Sequence, residues 1–405
     1  MIKIAMIFMR FPAASEAFAS SDVRVLSSLD CEVHVYNLRP SVANNQQLII
    51  ERGLENIKIS KANSFSILKG ILQFFHRPQV AIPLLLWCIK NSRFNINHFL
   101  KTLFLLPRTL DVFTQIEKTR PDVVHLFWGH YPAMVGFLVK RFCQRIRLSM
   151  FLGAYDLLTA FNGSWQVASK ADVVWTHARC NLDRLENAGI PGSKIVVWHR
   201  GIDLSLVPSC RDNHRPLRIV TAGRLVSGKG FAFLIEAFSA IHGQCPDVEL
   251  VLLGDGPERA NLEKQVRGFG LERAVTFKGH VKHAQVFAEF STSRVFLFCS
   301  QNPSERLPNV VKEAMACGCV CVVTPTPGIE ELVRDTVTGF VVPKDMQQIV
   351  LVVCRLLEDA ALQQTIAANA RQFIADAFNA ETQIRWQLRR WQALVEHGSL
   401  QSRGE

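Results

Sequence analysis

No apolar run in the chain is long enough to cross a bilayer. The longest, VAIPLLLWCI (Val80 to Ile89), is half the roughly 20 residues that a spanning helix needs. A signal peptide is not expected, because MIKIAMIFMRFP reads as a short buried strand running into a turn. The 11 cysteines are odd in number and scattered, which excludes a disulfide framework. Cys317, Cys319 and Cys321 alternate along an expected strand; small buried thiols of a reducing cytoplasm are one reading, metal ligation the other. There is no low-complexity tract and no short repeat. No nucleic-acid module is present either, so the net charge of +11 does not imply a nucleic-acid partner.

What is present describes a folded α/β protein. A length of 405 residues suits two domains, and 48% hydrophobic with 20% charged residues suits real cores. Short apolar strands alternate with helical patterns in both halves, the signature of parallel sheets wound by helices. The first half offers KIAMIF, EVHVYNL, VVHLFW, LSMFLG, VVWTH and IVVWH. The second restarts with LRIVTAG and continues through VELVLLG, AVTFKG, VFLFCS and VCVVT. The polar, proline-bounded VPSCRDNHRP (207–216) reads as a linker between them. Two doubly wound Rossmann-like domains are therefore expected, residues 1–206 and 207–375, facing a central cleft. A helix at about 376–400 is expected to pack back on the first.

Charge is divided unevenly. Residues 1–200 hold 24 Lys and Arg against 13 Asp and Glu, a net of +11, and residues 201–405 hold 22 of each. An anionic partner for the first half follows, either a membrane surface or an acidic substrate. Residues 65–120 are apolar and aromatic, with Lys69, Arg77, Lys90, Arg93, Lys101 and Arg108 interspersed. From Lys69 to Asp111 the final Asp is the only acid. Such helices either lie in an anionic membrane interface or fill the core as an ordinary helical pair.

The chemistry-bearing motifs lie mostly in the second half. In LRIVTAGRLVSGKGFAF a strand ends at Ala222, a turn carries Arg224, and Gly228-Lys229-Gly230 enters a helix. This nearly spells a nucleotide triphosphatase loop, but Gly230 stands where a magnesium-holding Ser or Thr belongs. Two cations there suit a diphosphate held without a metal. Further on, FLFCSQNPSERLPNVVKEAMACG places Glu305 in a loop, Pro308 in the first turn of a helix, and Glu313 inside it. A helix start at the C-terminal edge of a parallel sheet suits an anionic ligand. The alternative for the glutamates is one cap and one solvated side chain.

The order of these motifs, continued by GDGP, FKGHV and GIEELVRDTVTGFVVP, resembles the retaining family 4 glycosyltransferases of GT-B fold. The likeness covers nearly the whole second half. It implies that Glu305 meets hydroxyls of the donor sugar and Glu313 the nucleotide ribose. It also implies that Arg224 and Lys229 bind the donor diphosphate, and that Leu307, Pro308 and Asn309 meet phosphate or sugar at the helix start. The first half resembles the family less tightly, through FPAASEAF, PDVVHLFWGHYP and SKIVVWHRGIDLSLV. It lacks the usual glycine pair in the first loop. His125 and Phe127 stand where many members have His-x-His, and Leu152-Gly153 where many have a histidine. His130, in the loop WGHYP, is the candidate for the missing histidine, the alternative being that it merely caps or packs. Asp156 is a further candidate, while His125 belongs on the strand.

The resemblance implies a hexosyltransferase with Glu305 and His130 as catalytic candidates, no cofactor and no required metal. A sugar would pass with retention from a nucleotide diphosphate to an anionic or lipid-linked glycan acceptor, in cell-surface polysaccharide or lipopolysaccharide synthesis. The departing phosphate would take the acceptor's proton on the same face. The expected location is cytoplasmic and peripheral on the inner membrane face. The alternatives are an epimerase or phosphorylase on the same fold, or a non-catalytic scaffold that binds nucleotide sugars.

Overall fold

A computed structural model describes the chain except residues 14–15, 42–43, 93–94, 160, 209–214 and 402–405, and the side chains of 398–401. The chain forms two units, one of Met1–His199 with Ala380–Glu405 and the other of Arg200–Asn379. The division at 199/200 falls earlier than the expected 206/207. The expected linker lies mostly on 209–214, outside the described residues.

The first unit holds one sheet of seven strands: β1 (Ile2–Phe8), β2 (Cys31–Asn37), β3 (Lys58–Ser60), β4 (Val123–Leu126), β5 (Arg147–Phe151), β6 (Val173–Thr176) and β7 (Ile195–Val197). Their order is β3-β2-β1-β4-β5-β6-β7, all pairs parallel. The second unit holds β8 (Arg218–Ala222), β9 (Glu249–Leu253), β10 (Val275–Gly279), β11 (Val295–Phe298), β12 (Val320–Val323) and β13 (Phe340–Val341). They run β10-β9-β8-β11-β12-β13, again all parallel.

Both sheets therefore start at a central strand, grow to one side, then switch to the other. The switch lies between β1 and β4 in one unit and between β8 and β11 in the other, and ligands of open α/β sheets bind at such points. The central strands read as unbroken apolar runs because helices cover both faces. VVHL of β4 and VFLF of β11 are buried throughout.

The helix Ala380–Gln401 closes the first unit. Its Ile384, Leu388 and Trp391 join the core under β1, β4 and β5. The Trp391 indole donates to Ser149 Oγ at 2.9 Å, and the Trp175 indole donates to the same oxygen at 2.8 Å. With two donors already received, the Ser149 hydroxyl gives its proton to His125 Nδ1, 2.8 Å away. His125 is thus a buried part of the strand.

Three helices fill 64–119: Ser64–His76, Pro78–Ser92 and Ile96–Thr119. Gly70 allows the first to cross the third closely, since a Cβ there would lie 1.7 Å from Pro107 O. Their inner faces, including Leu84, Cys88, Leu105 and Leu110, belong to the core. Their outer faces are apolar as well. Of 21 exposed large apolar side chains in the described residues, 11 lie between Phe65 and Phe104. Two cations assigned to a membrane surface are otherwise engaged. Arg108 is buried, pairs with Asp111 and donates to Asn37 O and Ser60 O, each at 2.8 Å. Arg77 pairs with Glu117. Arg93 lies outside the described residues.

Candidate active site

In the second unit the turns after β8, β9 and β11 are joined through their backbones. Gly254 has φ +129°, and a Cβ on it would lie 1.9 Å from Gly223 O. Gly230 has φ +74°, and a Cβ there would lie 1.8 Å from Cys299 O. Only glycine accepts both the left-handed backbone and the contact. The β8 turn is thereby pressed against the end of β11, where Gln301 N donates to Gly228 O at 2.8 Å.

This closeness brings two of the sequence-predicted residues together, Lys229 and Glu305. Lys229 forms an ion pair with Glu305, their side chains 21% and 13% exposed, and lies 5.9 Å from the Phe298 ring centroid. Arg224 is exposed, and its side chain has no partner among the described residues. The helix Asn309–Ala316 begins beside Glu305, with Pro308 at the cap position and not in the first turn as expected. Leu307 is buried with φ +47°, a left-handed conformation costing a residue with Cβ about 1–2 kcal/mol. Such strain concentrates where a loop must aim its backbone. Among the described residues the N–H groups of Leu307, Asn309 and Val310 have no hydrogen-bond partner. Three free donors at a positive helix end make an anion cradle.

Glu313 points elsewhere on the same helix and accepts from His283 Nε2 at 3.0 Å, if that nitrogen carries the proton. His283 starts the helix His283–Thr292. Sequence reasoning missed it, although FKGHV two residues earlier marks the same loop. Lys312 is buried and donates to Arg200 O at 2.8 Å and Asn309 Oδ1 at 3.1 Å, fixing the first turn. Behind it, Cys319 donates to Phe290 O at 3.0 Å, and burial pushes the Cys321 thiol well above its ordinary pKa. Both are buried, and for Cys321 burial opposes the thiolate form that a metal takes.

In the first unit His130 follows β4 and lies 3.1 Å through Nδ1 from Asp156 Oδ1. Asp156 is buried and also accepts N–H bonds from Gly129 at 3.0 Å and Gly153 at 3.1 Å. When Nδ1 of His130 carries the proton it donates to this carboxylate, and Nε2 is then the nitrogen with the lone pair. His130 lines a cavity of about 300 Å³ together with Arg10, Arg39, His98, Lys101 and Tyr131. Arg10 and Arg39 follow β1 and β2, the strand ends where ligands collect. Sequence reasoning passed over them although their positions signalled it. Lys101, expected on a membrane face, lines this cavity.

Residues 209–373 match the family described as glycosyl transferases group 1. The match lies within the second unit. The chain is 24% identical over 402 residues to the amylovoran biosynthesis glycosyltransferase AmsK of Erwinia amylovora, covering 93% of this chain and 96% of that one. It is 32% identical over 157 residues to the alpha-D-kanosaminyltransferase of Streptomyces kanamyceticus, covering 38% and 40%. The chain spans 51% of the length of a further relative from Salmonella typhimurium. Among solved structures, Anabaena HepE in complex with UDP and glucose superposes with a TM-score of 0.72 at 18% identity, covering 97% of this chain and 100% of that one. The fold is GT-B, with two Rossmann-like parallel sheets.

Proposed function

We propose that the chain moves a hexose from a nucleoside diphosphate sugar to an anionic or lipid-linked glycan acceptor, with retention, in cell-surface polysaccharide synthesis. The observation that carries this reading is the set of free N–H groups at Leu307, Asn309 and Val310, at the helix start that follows Glu305, the partner of Lys229. The family match of residues 209–373 supports it. So do the Erwinia relative, named for amylovoran synthesis, and the Anabaena structure, described as holding UDP and glucose.

In this reading the incoming diphosphate competes with Glu305 for Lys229. A diphosphate outweighs one carboxylate in charge, so Lys229 turns to phosphate and Glu305 is released toward the sugar hydroxyls. The bond from the anomeric carbon to the diphosphate breaks while a bond to the acceptor oxygen forms on the same face. The departing phosphate takes the acceptor proton. Arg224, Lys229 and the helix start stabilise the charge that grows on it, which is the main contribution asked of the protein. His130 faces the cavity of the first unit, where its Nε2 accepts from an acceptor hydroxyl. Glycine at 230 in place of a magnesium-holding hydroxyl supports a metal-independent reaction. The reading places the protein in the cytoplasm, peripheral on the membrane.

Purified protein tested by thermal shift against a panel of nucleoside diphosphates and their sugars should be stabilised by one base, because a ligand that binds only the native state raises its stability. The matching sugar nucleotide should then yield free nucleoside diphosphate, with the sugar on a separate acceptor. No stabilisation by any panel member would end the reading; sugar inverted in place or moved to phosphate would favour an epimerase or phosphorylase.

A further inference from the structure

We infer that the cavity of the first unit binds the phosphate of a membrane lipid whose hydrocarbon lies along the helix Ile96–Thr119. The inference rests on the transferase reading and makes its lipid-linked acceptor one whose phosphate is held in this cavity.

The cavity is cationic. Arg10, Arg39 and Lys101 line it, and their side chains make no ion pair or hydrogen bond among the described residues. Glu16 is the only carboxylate among the lining residues, and it already has a partner. Deeper in, the buried Tyr131 hydroxyl lies 3.0 Å from His98 Nδ1, with the ring of Phe161 beside both. Three unpaired cations sharing one cavity with a hydroxyl and an imidazole are a phosphate-binding set.

The second observation is what borders the cavity. Ile96, Leu100 and Phe104, 67%, 56% and 65% exposed, repeat every four residues along one helix face. At about 100° per residue, Lys101 falls about 60° round from Phe104 and His98 about 60° further. One helix thus carries an exposed apolar stripe, then a cation, then an imidazole that reaches the cavity. The helices Ser64–His76 and Pro78–Ser92 carry similar exposed stripes, Phe65, Leu68, Leu72 and Phe75 on one, Ile82, Leu86 and Ile89 on the other. Their cations Lys69 and Lys90 are exposed. Apolar surface beside unpaired positive charge fits an anionic amphiphile, and a soluble glycan offers nothing to the stripe.

Sedimentation with phosphatidylcholine vesicles containing either phosphatidic acid or phosphatidylglycerol tests this. The wild type should prefer phosphatidic acid, whose phosphate monoester is open to the cavity. Arg39→Ala with Lys101→Ala should abolish the preference and lower affinity for phosphatidic acid vesicles by at least about tenfold. Leu100→Glu with Phe104→Glu should lose binding to both vesicles, while circular dichroism melts of these surface variants stay unchanged. Equal wild-type binding to both vesicles would overturn the phosphate assignment. Full retention of phosphatidic acid binding by the Leu100 and Phe104 variant, with equal stabilisation by inorganic diphosphate, would mean a soluble anion and overturn the lipid. The donor panel decides the transferase reading independently, since it probes the second unit alone.

Discussion

After the first strand of the second unit the chain turns through Gly223, Arg224, Gly228, Lys229 and Gly230; after the first strand of the other unit it turns through Met9, Arg10, Phe11 and Pro12. The strand order around the two turns is the same. In the second unit the turn is glycine-lined and lies against neighbouring backbone, and the helix start after β11 leaves N–H groups without a partner among the described residues. In the first unit side chains from four strand ends and a helix fill the equivalent edge. A backbone cradle suits a ligand part shared by many substrates, such as a diphosphate. A side-chain cavity suits a part that varies, such as an acceptor.

The comparison breaks most readily at glycine. Gly254→Ala places a Cβ 1.9 Å from Gly223 O on a backbone of φ +129°, so both strain and overlap oppose it. A loss of about 3 kcal/mol is expected in denaturant unfolding of the second unit, with loss of nucleoside diphosphate stabilisation. Gly189→Ala in the first unit meets nothing within 4 Å at φ +82°. It should cost only the left-handed strain, about 1 kcal/mol. Equal losses would show that the second unit's turns are not tightly joined.

The same contrast explains what the sequence made legible. Glycines, Lys229 and the two glutamates lie in one linear order in the second half, and that order carried the family resemblance that grouped them. The first-unit cavity gathers Arg10, Arg39, His98 and His130 from separate elements, and no local pattern joins them. His130 was picked from its loop, but not that Asp156 would bind its Nδ1. The strands β3 and β13 were missed because they are edge strands of three and two residues, paired on one side. Such strands need no long apolar run. Arg108 was read as a surface cation because its burial depends on Asp111, Asn37 and Ser60, two of them distant in sequence. The helices between 64 and 119 put one face in the core, as one of the two readings had it, and leave the other exposed.

The next effect concerns charge in the glycine-lined turn. Arg224→Ala or Lys229→Ala should lower donor turnover by tenfold or more, about 1.4 kcal/mol of transition-state stabilisation. Initial rates in excess chelator should match those with magnesium for the wild type. An absolute need for magnesium would remove the two cations from the role proposed.

The smallest effect separates the two glutamates, and the observed pairing sharpens it. Glu313 is held by His283 at 3.0 Å, away from Lys229, whereas Glu305 is the carboxylate on Lys229. Removing Glu313 takes away the proposed ribose acceptor and leaves the cations as they were. Glu313→Ala should therefore weaken free nucleoside diphosphate and intact donor alike, by about 1 kcal/mol, or roughly fivefold. Removing Glu305 frees Lys229 for phosphate while depriving the sugar of its partner. Glu305→Ala should leave affinity for the free nucleoside diphosphate unchanged or slightly raised, and weaken only the sugar-bearing donor. Titration calorimetry with both ligands on both variants measures this. If Glu305→Ala and Glu313→Ala weaken the free nucleotide equally, then Glu305 is not competing with phosphate for Lys229. The ion pair would then be a fixed part of the turn and not its resting state.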